Sequence, residues 1–160
     1  MSALSIAYLD ISPRQTGKTE RLIRLAQEHL EVGRRVYFVT FDGLVQEIAR
    51  RLPGATVLSD TDDQSSFGDE SNAVWFYDEF DWLKSTNIRQ NGYYATTARF
   101  LRTLGEASTE NDLLLRLIEL NGRQFTRHFW PFEMDDIVQE ARLAHSEEEF
   151  RRLYLGDIYK

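Results

Sequence analysis

The chain has 160 residues, 42% hydrophobic and 28% charged, which is ordinary globular usage and suits a single domain over residues 1–160 with a core of its own. The absence of cysteine excludes a disulfide framework and thiolate metal sites. With no apolar run near the ~20 residues that span a bilayer and no basic-then-apolar leader, we expect no membrane association and a cytoplasmic setting. A formal net charge of −7 opposes autonomous binding to a phosphate backbone, so any contact with nucleic acid has to come from local arginines or from an assembly.

The first of four short runs rich in β-branched and aromatic residues is SIAYLD, residues 5–10, which reads as a strand. SPRQTGKTER follows, Ser12 to Arg21, and opens a helix in which Leu22, Ile23, Leu25, Ala26 and Leu30 recur at helical spacing until Gly33 stops it. RVYFVT, residues 35–40, completes a βαβ unit, and TVLS at Thr56–Ser59 is a weaker strand. The acidic stretch SDTDDQSSFGDESN, Ser59–Asn72, has almost no apolar residue and is expected to be a solvated connecting loop. AVWFYD at 73–78 and GYYATT at 92–97 are the other two strong runs, and QFTRHF at Gln124–Phe129 adds a sixth candidate strand.

STENDLLLRLIELNG reads as a helix capped by Ser108 or Thr109 with acids in its first turn, although Asn121-Gly122 also suits a hairpin turn. Two helices are expected in the tail, the second opened by Ser146 with Glu149 at capping-box spacing. The arginine pairs at Arg34, Arg50 and Arg151 read as solvated helix or turn ends, and HFWPF as core. His29, His128 and His145 fall in no zinc-ligand spacing. Alternating β and α segments predict an α/β fold with helices flanking a mainly parallel sheet.

Gly17-Lys18-Thr19 is the end of a phosphate-binding loop, though Ser12 stands where the common pattern has its first glycine. In such a loop backbone N–H groups and the following helix face an anion, Gly17 permits close approach, Lys18 reaches the β- and γ-phosphates, and Thr19 can ligate Mg²⁺. A bare helix start is an equally good reading of these three residues alone. The balance shifts at residues 73–79, an apolar strand ending in Asp78-Glu79. There an aspartate can hold the metal or its water, and a glutamate can orient and deprotonate an attacking water.

SPRQTGKT resembles the Walker A variant of viral terminase large subunits, the DNA-packaging ATPases, and VWFYDEF resembles their Walker B motif with its catalytic glutamate. YYATTAR is similar to the family's coupling motif, and SEEEFRRLYLGDI to a segment near the end of its ATPase domain. The resemblance implies a three-layer P-loop NTPase fold of the additional-strand class, with a further strand between those carrying the two Walker motifs. It implies ATP and Mg²⁺ bound by Arg14, Gln15, Thr16, Gly17, Lys18 and Thr19, with Thr19 and Asp78 on the metal and Glu79 as base. Arg14 would neutralise charge during transfer, from the same subunit or a neighbour, and Thr96 and Thr97 are weaker candidates for sensing the γ-phosphate. The implied partners are double-stranded DNA through an assembled complex, further copies of the chain, or a viral protein in a host cytoplasm. The family's nuclease domain has no room before Lys160, and the N-terminal segment that grips adenine is not expected here.

Two other functions remain open on the sequence. One is a nucleotide-dependent interaction or regulatory module with little or no turnover. The other is a nucleotide or small-molecule kinase, which the acidic rather than arginine-rich loop at Ser59–Asn72 disfavours.

Overall fold

A computed structural model describes residues 4–66, 72–129 and 135–160. In chain order the elements are β1 (Ile6–Ile11), α1 (Lys18–Glu31), β2 (Arg35–Thr40), a short 3₁₀ turn (Asp42–Leu44) running into α2 (Val45–Arg51), and β3 (Thr56–Ser59). After these come β4 (Ala73–Asp78), β5 (Gly92–Thr96), α3 (Leu113–Leu120), α4 (Asp135–Ala144) and α5 (Glu147–Phe150), the last continuing as a π-helical turn, Arg151–Leu155. The five strands form one sheet in the order β1-β5-β4-β2-β3, and every pair is parallel.

A parallel sheet needs both faces covered, which is why its central strands read as continuous apolar runs. Successive side chains of β2 and β4 point to opposite faces and feed two cores. Val36, Phe38 and Phe76 join Leu22, Ile23 and Ala26 of α1 and Ile48 of α2 on one side. On the other side Tyr37, Val39, Trp75, Tyr77 and Tyr94 meet Leu114, Leu115 and Leu117 of α3. Each fully buried Val, Leu, Ile or Phe among them contributes roughly 1.5–3 kcal/mol of transfer free energy. Stacked rings tie the second core across strands, with centroids 4.5 Å apart for Tyr37 and Trp75 and 5.1 Å for Tyr77 and Tyr94. The result is an α/β fold with helices on both faces of an all-parallel sheet.

Several sequence expectations change. QFTRHF does not form a sixth strand: Thr126 alone bridges β1, its N–H donating to Leu9 O at 2.8 Å and its carbonyl accepting from the Ile11 N–H at 3.0 Å. The α3 helix is capped by Asp112, whose carboxylate accepts from Leu114 N–H and Leu115 N–H, rather than by Ser108 or Thr109, and its first turn holds no acid. Asn121-Gly122 closes that helix and is not a hairpin turn. The acidic stretch is pinned at its start rather than solvated throughout: Asp60 is buried and accepts from Lys84 N–H, and buried Gln64 accepts from the Tyr77 hydroxyl at 2.7 Å. Residues 67–71 of that stretch, and residues 130–132 of the aromatic run, lie outside the described residues. The tail helices form as expected, with Ser146 and Glu149 in a reciprocal capping box. Among the described residues no helix is long and apolar enough to cross a membrane.

Candidate functional site

Parallel pairing brings the C-terminal ends of β1, β5 and β4 side by side, and the loop from Ser12 to Gly17 leaves the first of them. Ser12 N–H donates to Thr96 O at 3.1 Å, so the loop starts already tied to β5. The Ser12 hydroxyl donates to Asp10 Oδ1 and accepts from His128 N–H at 2.8 Å. Positive φ is confined in this loop to Gln15 (56°) and Gly17 (84°), so the backbone at Ser12 has no need of glycine. Serine instead fills the position with a hydroxyl that has two partners.

Arg21, one helical turn beyond Gly17, braces the loop from below. Its Nη1 donates to Thr16 O at 2.6 Å and its Nη2 to the fully buried Asp10 at 3.1 Å. A Cβ on Gly17 would stand 3.2 Å from Arg21 Nη1, a tight contact added to the strain that a φ of 84° imposes on any other residue. The Asp10–Ser12–Arg21 brace is not apparent from motif reading. Its traces in the sequence are an aspartate inside an otherwise apolar strand and an arginine spaced i, i+4 from the loop's last glycine.

Lys18 opens α1 with its side chain buried, donating to Pro13 O at 2.9 Å and lying 3.5 Å from Glu79 Oε1. Pro13 O also accepts from the Thr16 hydroxyl at 2.9 Å. The Thr19 hydroxyl donates to Asp78, with Oδ2 at 3.0 Å and Oδ1 at 3.2 Å. Glu79 follows directly in a left-handed conformation (φ 54°), and its Oε2 accepts from Thr97 N–H at 3.2 Å. Two further bonds close the ends of β4 and β5: Asp81 N–H to the Thr96 hydroxyl at 3.2 Å and the Trp82 indole N–H to Thr97 O at 2.7 Å.

Lys18, Thr19, Asp78, Glu79 and Thr97 are thus brought together, across some eighty residues of chain, at the C-terminal ends of the strands. Arg14 and Gln15 are exposed on the outer turn of the same loop, while Thr16 is buried within it. Thr97 acts through its backbone. Its hydroxyl is buried without a hydrogen-bond partner, and that of Thr96 is spent on Thr97 O.

The electrostatics follow from burial. Desolvation, and after it the charge of Glu79, pushes the Asp78 carboxyl up to about 7, against the opposing pull of Thr19 and Lys18. Burial likewise raises Glu79, with the Lys18 ammonium acting against it. A buried ammonium beside a helix N-terminus whose N-cap is Gly17, with no side chain to offer, suits an oxyanion. The Thr19–Asp78 oxygens suit a hard divalent cation, whose charge would reverse the upward shift of Asp78. Among the described residues no three or more His, Cys, Asp or Glu side chains gather as a metal cage. Mg²⁺ bound through one or two protein oxygens, with water and phosphate completing its shell, needs no such cage. The residues present therefore fit that ion, and Glu79 stands where a base can serve it. No protein-family model matches the chain, and no curated protein matches its sequence.

Proposed function

We propose that the chain binds Mg-ATP at Arg14–Thr19 and hydrolyses it, as a P-loop ATPase of the additional-strand class resembling the ATPase domain of viral terminase large subunits. The observation that carries this reading is the convergence of Lys18 and Thr19, at the start of α1, on Asp78 and Glu79, at the end of β4, with β5 inserted between β1 and β4. Ligands of open parallel sheets sit at the carboxyl ends of the strands, which is where these four residues lie.

Lys18 holds the β- and γ-phosphates once it leaves Pro13 O, and the N–H groups around Gly17 complete the cradle. Thr19 and Asp78 hold Mg²⁺, which when bound neutralises phosphate charge. Glu79 accepts a proton from water, and Arg14 stabilises the charge that grows on the transferred group. The partner class is double-stranded DNA or a protein, engaged through an assembly of this chain.

One observation favours a second reading, a regulatory module with little turnover. Each Glu79 carboxylate oxygen already has a partner, Lys18 for one and Thr97 N–H for the other, and both draw on the charge that would make it a base toward water.

The test is thermal unfolding with and without Mg-ATP. Nucleotide at about a hundred times its Kd adds roughly 2.7 kcal/mol, or about 5–11 °C in Tm at this size, and Lys18→Ala removes most of the shift. A melting curve unchanged by saturating nucleotide sinks the ATP reading. Glu79→Gln keeps the shift and cuts phosphate release by roughly 10²-fold, which separates the ATPase from the module.

A further inference from the structure

The outer side of the loop 12–17 rests on the C-terminal segment. Arg14 N–H donates to Leu153 O, in the π-helical turn, at 2.8 Å. Carbonyls in a last helical turn lack intrahelical partners, so this one is available to a neighbouring chain segment. Two residues on, buried Gly156 takes a left-handed conformation (φ 73°) with its bare Cα against Pro13; a Cβ there would lie 2.9 Å from Pro13 Cδ and 3.1 Å from Arg127 Nε.

The segment is itself held firmly. Arg127 donates to Leu155 O and to Asp157, Arg151 Nε donates to Asp157 at 2.9 Å, and Arg151 Nη2 donates to Tyr159 O at 2.8 Å. Arg127 follows Thr126, the residue that bridges β1. Phe150, just before the π turn, is buried. The loop therefore backs onto a fixed support, and π-helical turns recur at functional positions. With its N–H spent on Leu153, Arg14 has its backbone, the root of its guanidinium, fixed by this support.

We propose that the π-helical turn and Gly156 position Pro13 and Arg14, so that the Arg14 guanidinium is held for turnover rather than for ground-state binding. This rests on the reading of Arg14–Thr19 as an ATP site. Leu153 and Gly156 are positioning residues acting through Arg14. Gly156→Ala, which must displace the Pro13 ring, shifts the first half of the loop, with the Pro13 carbonyl that Lys18 holds at rest and leaves for phosphate, while the backbone of Gly17–Thr19 stays on the braces of Arg21 and Asp78.

The experiment compares the native chain, Gly156→Ala, Arg127→Gln, Arg14→Ala and the double variant Arg14→Ala/Gly156→Ala. Amide exchange without nucleotide, ATP affinity and single-turnover hydrolysis are read for each. In Gly156→Ala the Arg14 amide exchanges at least about tenfold faster while β4 keeps its protection. Turnover falls at least about tenfold and Kd stays within about threefold, because a misplacement near 1 Å is felt far more in the transition state. Arg127→Gln moves the same readouts in the same direction by less, and reports on the support if Gly156→Ala does not fold. In the Arg14→Ala background Gly156→Ala costs no further turnover, a non-additivity that general destabilisation does not produce. Unchanged Arg14 exchange, or losses that simply add in the double variant, overturn the positioning role while leaving the ATP site standing. Failure of the native chain to bind nucleotide at all removes the ATP reading and this role with it.

Discussion

Asp78 works against the fold that holds it. A free aspartate titrates near 3.8, whereas burial raises this one to about 7. Between those values the folded chain binds more protons than the unfolded chain. The stability linked to Asp78 is therefore fully present below about pH 4 and is lost as pH rises through about 7. Asp78→Asn keeps the shape and an oxygen for the Thr19 hydroxyl but carries no charge. We expect it to be more stable than the native chain at pH 8, by roughly 4 kcal/mol at most, and nearly equal to it at pH 3.5. Urea midpoints at the two values check this, and an asparagine variant weaker at pH 8 contradicts it. Mg²⁺ dependence of any nucleotide binding weakens in the same variant, the trade of stability for a charged site that functional residues often make. At this scale the meeting of Lys18 and Thr19 with Asp78 and Glu79 was legible only from the two motifs taken together, since each alone reads as well as a helix start or an acidic turn. Asp10, Ser12 and Arg21 are not legible, since their roles depend on packing between segments that spacing alone does not bring together.

Among the elements, the strands were the easiest to read: parallel strands buried on two faces must be apolar throughout, and RVYFVT and AVWFYD could hardly be anything else. The α3 cap was missed for a specific reason. Asp112 serves two elements at once, accepting from the first N–H groups of α3 and from Arg102 Nε at 2.9 Å. Arg102 is buried in the segment after β5. Its Nη2 also donates to Asp81 at 2.7 Å, just past Glu79, so one guanidinium joins the exit of β4 to the start of α3. Only a tertiary contact distinguishes Asp112 from Ser108 and Thr109 as the cap. Arg102→Met leaves two buried carboxylates without their cation and is expected to cost about 3–5 kcal/mol in chemical denaturation. A loss under about 1 kcal/mol, the range of an exposed pair, means that the network is wet and that the two ends are joined by other contacts.

For the molecule as a whole, the strand order decides the chemistry. Because the chain passes from β1 to β2 and β3 before returning to lay β4 against β2 and then β5 between β4 and β1, residues 18–19 and 78–79 become neighbours although sixty positions separate them. The alternation of β and α made the layers predictable; of the strand order only one strand between β1 and β4 was expected, from the terminase resemblance rather than from periodicity, and the rest was not foreseen. The same order gives the protein a built-in optical reporter. Trp75 lies stacked in the core under the Arg89 guanidinium, 3.9 Å away, and senses global unfolding. Trp82 instead donates its indole N–H to the carbonyl of Thr97, the residue whose own N–H holds Glu79. In a Trp75→Phe/Trp130→Phe background, emission from Trp82 alone follows the release of that latch. Rapid mixing with Mg-ATP should then give an emission change that precedes phosphate release and persists in Glu79→Gln. A silent Trp82 alongside normal nucleotide binding would mean that Glu79 never leaves Thr97, and that the site turns over, if at all, without opening.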